Sequence, residues 1–253
     1  MQARTTDLPS MNYLREATSP PGVTPFHVGI VIGPGFIPMD MVGIQTVYGV
    51  LPGAKIHLLW KDRDLVEGHP SWWTQPTTTF AECPDLDVIA VPMMAPETQT
   101  DPELVAFVAE KARTAKYVIG ICNGVVTLGA AGLLKGRRAT VSLNSLEMLP
   151  ELGVSEAIPS GDVIVDGNLY TAGPGCGSFE AALVAAAHAF GRPTAELAEL
   201  IIEYAPKAPF GKGTAETAAP EHLAVFKGLM KPLVDAYRSG AVASYRNLQS
   251  TAA

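Results

Sequence analysis

Short apolar runs along this chain alternate with segments whose apolar residues recur every three or four positions. Phe26-His27-Val28-Gly29-Ile30-Val31-Ile32 is β-rich and ends in Gly33-Pro34-Gly35, which predicts a buried strand followed by a turn. Met41, Ile44, Val47, Tyr48 and Leu51 are then spaced as on one helix face. Asp is a favoured N-cap, so a helix over 40–51 is predicted to begin at Asp40 and to stop at Pro52-Gly53. Lys55 to Trp60 and Leu86 to Pro92 are two more strand-like runs, separated by a polar segment holding Trp72, Trp73 and three threonines. Asp101-Pro102 opens a helix with Leu104, Val105, Val108 and Ala112 as its buried stripe. Proline suits the first helical position, where its missing N–H has no partner to lose.

Tyr117 to Cys122 is a continuous apolar strand that runs into Gly124 to Ala131, a helix of small residues able to pack closely on a sheet. Strands near Ala139–Leu143 and Asp162–Ala172 and helices near Ser178–Phe190 and Thr194–Tyr204 continue the alternation. Such alternation predicts an α/β fold with a largely parallel sheet covered on both faces. Residues 1–24 show no periodicity and read as a flexible arm, 25–205 as the α/β domain. Residues 206–253 read as a Pro- and Gly-rich loop and an amphipathic helix over about 221–238, packing on the domain or on a dimer partner.

Composition narrows the class. Hydrophobic residues at 47% and charged residues at 17% supply a real core and exclude a disordered or highly charged chain. No apolar run approaches the ~20 residues of a membrane helix, and the polar start lacks a secretory leader, so a cytoplasmic location is expected. A net charge of −7 argues against nucleic acid or an anionic membrane surface as partner. Cys83, Cys122 and Cys176 are too few for a disulfide framework and lack metal spacing, which leaves cysteine chemistry without a structural zinc.

One stretch combines these features. Gly120-Ile121-Cys122-Asn123-Gly124 joins a buried strand to a helix, the setting of a nucleophile elbow with Cys in place of Ser. A side chain there projects above the carboxyl end of the sheet, where α/β folds bind ligands. The positive end of the following helix is expected to lower the thiol pKa and to offer N–H donors to an anion. The competing reading is a small buried cysteine among glycines that merely permit tight packing.

This elbow, Gly129 to Thr140 after it, and Asp166-Gly167-Asn168-Leu169 resemble the ThiJ/PfpI superfamily, related in fold to class I glutamine amidotransferases. Asp40-Met41-Val42-Gly43, Leu51 to Ala54 with His57 to Lys61, Phe80 to Ile89 and Glu203 to Phe210 resemble its isonitrile hydratases in particular. The resemblance implies a flavodoxin-like sandwich and a homodimer. It implies Cys122 as nucleophile and Asp40 as acid/base in a cofactor-independent addition of water to an isonitrile, giving an N-substituted formamide. A carboxyl group beside a thiol can serve if burial raises its pKa enough to share a proton.

Four segments depart from the family pattern. Asn123 stands where Thr is usual, and Met93-Met94-Ala95-Pro96 replaces a Gly-Gly turn. Val141-Ser142-Leu143 replaces Thr-His-Trp, so no Cys–His pair is expected there, and Gly173-Pro174-Gly175-Cys176-Gly177 forms the last turn. Asn123, Gly124, Met93, Met94, Gly43, Ser142 and Cys176 are therefore the candidate substrate- and oxyanion-binding residues, with the amides around Met94 and Gly124 as donors. Two methionines would narrow the pocket and favour a small, largely apolar substrate. These changes also admit a repurposed enzyme performing another addition, cyclisation or hydrolysis, and a non-enzymatic sensor whose cysteine oxidises. Asp40 keeps its plain reading as a helix cap, Cys83 before a core strand reads as structural, Cys176 reads as a buried spectator unless it reaches the pocket, and His27 and His57 as hydrogen-bonded core histidines within strands. His69, beside Trp72 and Trp73, is the one histidine placed near a ligand.

Overall fold

A computed structural model of the protein describes Ala17, residues 21–159 and residues 161–251. Most of the predicted N-terminal arm lies outside the described residues. The first strand, β1 (Phe26–Val31), leads through a turn into α1 (Pro38–Gly49), and β2 (Ala54–Trp60) follows. A hairpin of β3 (Val66–Gly68) and β4 (Trp72–Thr74) precedes β5 (Thr78–Thr79) and β6 (Val88–Val91). Next come the short α2 (Pro96–Gln99), α3 (Pro102–Ala112), β7 (Tyr117–Ile121) and α4 (Gly124–Ala130). β8 (Arg138–Ala139), a 3₁₀ helix (Leu143–Leu152), β9 (Glu156–Ala157), β10 (Ile164–Asp166) and β11 (Leu169–Ala172) lead to the three closing helices. These are α5 (Cys176–Phe190), α6 (Arg192–Ile201) and α7 (Pro220–Thr251).

The central sheet has seven strands in the order β10-β11-β7-β6-β1-β2-β5, parallel throughout except for the β10–β11 hairpin. Its five main strands run β2-β1-β6-β7-β11, the order of a flavodoxin-like sheet, whose carboxyl ends form the ligand-binding edge. β6 and β7 are nearly all apolar because helices cover both faces. All four residues of the α3 stripe are buried, and Asp101 caps that helix, accepting the Glu103 and Leu104 amides at 3.0 Å.

Three expectations change. The helix after β1 starts at Pro38, not at Asp40: Ile37 is the N-cap, and Asp40 lies inside the first turn with its carboxyl pointed away from that turn. Of the segment 139–143 only Ala139 lies in a strand, the two-residue β8, which pairs β9 outside the main sheet, and a 3₁₀ helix follows. The last helix reaches Thr251, because Tyr237, Ala241 and Tyr245 continue a buried stripe past residue 238. The Asp166 to Leu169 motif has a structural task. Asp166 accepts the Arg138 amide at 2.8 Å and Asn168 accepts from the Arg137 guanidinium at 2.9 Å, so the turn ties the β10–β11 hairpin to the chain entering β8. None of the described helices is long and apolar enough to cross a membrane.

Candidate active site

Four neighbouring strands deliver the site. The residues after β1, β6, β7 and β11 supply Asp40, Met93, Cys122 and Gly175 at the carboxyl edge of the sheet. Cys122 has φ 55°, a left-handed conformation unfavourable for any residue with a Cβ, as a nucleophile elbow requires. The glycines around it are steric necessities. A Cβ on Gly124 would lie 1.9 Å from the Val91 carbonyl oxygen, and one on Gly120 would lie 2.7 Å from Leu128. The Cys122 amide donates to the Ala172 carbonyl at 3.0 Å, fastening the turn to β11.

Asp40 is fully buried beneath the thiol. One carboxyl oxygen accepts the Gly175 amide at 2.8 Å and the other the Met93 amide at 3.3 Å, so the acid is held from both flanking loops. Burial is the largest influence on it and raises its pKa from 3.8 to about 6, against the lowering effect of those two amides and of Cys122. The thiol is only 5% exposed. Burial pushes its pKa up, and the Asp40 carboxylate adds to that, while the Asn123 amide and the Ser142 hydroxyl beside the sulfur oppose it. The expected lowering of the thiol pKa by the helix end is therefore overturned. Desolvation outweighs the amides, and α4 has only seven residues. What remains is a protonated thiol against a carboxyl group that titrates near neutrality, a pair suited to passing one proton between them.

Met93 sits at the thiol, its sulfur 3.4 Å from Cys122 Sγ. The backbone amides of 93 and 94 are not free for an oxyanion, contrary to expectation. Met93 N–H is held by Asp40, and Met94 N–H donates to Gln99 Oε1 at 3.2 Å. Met94 itself is wholly buried and belongs to the core. Gly43 also lies away from the pocket: a Cβ there would lie 1.9 Å from Ser178 Oγ, so its role is close packing of α1 on α5. Cys176 is exposed at the start of α5 rather than buried, next to the Gly175 amide that holds Asp40. Cys83 is half-buried, its thiol 3.4 Å from the Pro84 carbonyl.

Asn123 is fully buried, and among the described residues its side-chain oxygen and nitrogen make no close hydrogen bond, the Tyr237 hydroxyl being a nearby polar group. Buried amides are rarely left this way, so two binding functions stand open beside the thiol. Two neighbours escaped the sequence reading. Gln99 is wholly buried and binds the Asn123 carbonyl at 2.5 Å and Thr127 Oγ1 at 3.0 Å, bracing the elbow from α2. Tyr237 of α7 is also wholly buried. Its hydroxyl donates to the Met94 carbonyl and lies near Asn123 and Cys122, with its pKa raised chiefly by burial. The Leu233, Tyr237, Ala241, Tyr245 spacing was a detectable signal for the second; a lone Gln in a turn carries none.

Ser142 and Pro174 open onto a cavity of about 340 Å³ that is open to solvent and is also lined by Lys212, His222, Leu223 and Phe226. His69 does not line it: that residue belongs to the β3–β4 turn, where Trp72 and Trp73 are exposed. His27 and His57 pair across β1 and β2 at 3.0 Å, and His57 also meets Thr78 Oγ1 at 2.9 Å. Among the described residues no His, Cys, Asp and Glu cluster could hold a metal ion.

Comparison with known proteins finds related sequences and a shared fold. The model of the DJ-1/PfpI family matches residues 28–185. Isonitrile hydratase from Pseudomonas putida is 40% identical over 195 residues, which cover 76% of this chain and 84% of that protein. A solved ThiJ/PfpI family protein from Pseudomonas syringae superposes with a TM-score of 0.82 at 30% identity, covering 94% of this chain and 97% of that one. Drosophila melanogaster DJ-1beta has a TM-score of 0.61 at 18% identity, covers 72% of this chain and 100% of its own, and shares the fold alone.

Proposed function

The chain belongs to the DJ-1/PfpI family, and from that premise we propose that it is a cofactor-independent lyase of the isonitrile hydratase type, with Cys122 as nucleophile and Asp40 as acid and base. The observation that carries the reading is the buried carboxyl group set against the elbow thiol, its pKa raised to about 6. A free thiolate is not required. Asp40 takes the thiol proton as sulfur attacks the terminal carbon of R–NC, then delivers it to that carbon, giving a thioimidate R–N=CH–S–Cys122. Water adds to the same carbon as Asp40 removes one of its protons and passes it to the nitrogen, giving R–NH–CH(OH)–S–Cys122. Collapse of the adduct returns the thiol and releases R–NH–CHO, so the sum is one isonitrile plus one water.

Supporting groups follow from their places. The Asn123 amide N–H and the Ser142 hydroxyl lie beside the sulfur and stabilise negative charge developing there. The open side-chain amide of Asn123 offers both a donor and an acceptor to the attacking water. Met93 supplies an apolar wall for the isonitrile carbon. A peroxide-sensor role is disfavoured, because Cys122 is buried and its pKa is raised. In this reading the molecule works as a dimer, for which Leu197, Leu200 and Ile201 provide an exposed apolar face on α6.

The test is incubation with hexyl isocyanide and detection of N-hexylformamide. Cys122→Ala and Asp40→Asn should each abolish product. A wild-type protein that forms no formamide from a series of isonitriles, or Cys122→Ala that still forms it, removes the proposal.

A further inference from the structure

The cavity beside Ser142 has a chemical bias of its own. It begins where the site ends: Ser142 lies at the thiol, and Pro174 precedes the glycine whose amide holds Asp40. Its far wall comes from residues 212–226, beyond the segment 28–185 that carries the family match. Leu143, Leu223 and Phe226 make the wall largely apolar, and at about 340 Å³ it is large enough for a small organic ligand. Among the described residues Lys212 and His222 are its only ionisable lining residues, and no acid lines it. The Lys212 ammonium has no ion pair or hydrogen bond within the described residues. In a chain of net charge −7, that is an unneutralised cation above an apolar slot. The neighbouring cavity of about 390 Å³, which shares Leu143 and Leu223, lacks this bias, because Glu147 and Asp235 line it beside Lys227, Lys231 and Arg238 and Lys231 is paired with Asp235 at 2.7 Å.

We propose that this cavity is the tail-binding pocket for a substrate with an apolar body ending in a carboxylate, the acid facing Lys212 and His222 while the reacting end reaches Cys122. The identity of the reacting end rests on the hydratase reading above; the binding of an apolar carboxylate does not. An exposed ammonium adds a modest, salt-sensitive preference, and the apolar wall supplies most of the affinity.

Calorimetric titration of the full chain with 4-phenylbutyrate and with 4-phenylbutan-1-ol separates the two contributions. The acid should bind about fivefold more tightly than the alcohol at low salt. Lys212→Glu should erase or invert that ratio while leaving the alcohol unchanged. Leu223→Trp, which fills the slot, should weaken both probes by roughly tenfold. Lys212 is exposed on a loop, so its variant tests charge without disturbing the core. Equal binding of acid and alcohol, failure of both to bind, or an unchanged ratio in Lys212→Glu overturns the pocket. Turnover of 6-isocyanohexanoate against hexyl isocyanide provides the second arm. Hydration of both at equal kcat/KM refutes the carboxylate preference and keeps the hydratase. Tight 4-phenylbutyrate binding lost in Lys212→Glu, with no isonitrile consumed, keeps the pocket and refutes the hydratase.

Discussion

Replacing Asp40 with asparagine sets two opposed energies against each other, and pH separates them. The wild-type carboxyl is buried, its ionisation is penalised, and its pKa rises from 3.8 to about 6. A shift of that size corresponds to about 3 kcal/mol. Between these two values the unfolded chain ionises Asp40 while the folded protein keeps the proton. Stability from this group is therefore full below about pH 4 and is lost as pH rises through 6. Asparagine has no such titration. It keeps one acceptor oxygen, however, and turns an NH₂ group toward either the Gly175 or the Met93 amide, donor against donor. That costs about 1–3 kcal/mol at every pH. Asp40→Asn should thus be less stable than wild type by about 1–3 kcal/mol at pH 4, and equal to it or up to about 2 kcal/mol more stable at pH 7.5. Urea unfolding followed by tryptophan fluorescence at several pH values measures the difference. A difference that stays flat across this range, or that moves against the variant as pH rises, refutes the reasoning.

The same substitution should speed alkylation of Cys122 by iodoacetamide at pH 8, since the Asp40 carboxylate helps hold the thiol protonated; peptide mapping against the exposed Cys176 checks it. Gly124→Ala places a methyl 1.9 Å from Val91 O and 2.7 Å from Pro92, all backbone atoms, and should cost about 3 kcal/mol or more in urea unfolding. Tyr237→Phe leaves the Met94 carbonyl without that donor and should cost about 1–3 kcal/mol by the same assay. His57 is held below its usual 6.5, by burial first and by His27 second, so its contribution to stability is lost as pH falls through 6.5 and below. His57→Gln should flatten the decline in unfolding midpoint between pH 7 and pH 5.5.

The alternation of apolar runs with helical stripes was sufficient, by itself, to determine the α/β layering and the position of the elbow between β7 and α4, whereas the pairing of Cys122 with Asp40 came only from the family resemblance. These features are local: periodicity, glycines at a tight turn and a capped helix do not depend on distant residues. Where a side chain points is not local. Asp40 reads as a cap in sequence, and only the approach of the loops after β6 and β11 turns its carboxyl toward two of their amides and the thiol. The same convergence ties up the 93–94 amides, buries Cys122 deeply enough to reverse the expected pKa shift, and brings Tyr237 from more than a hundred residues away to the elbow. Desolvation depends on everything that surrounds a group, so tertiary packing alone decided the protonation state on which the proposed chemistry depends.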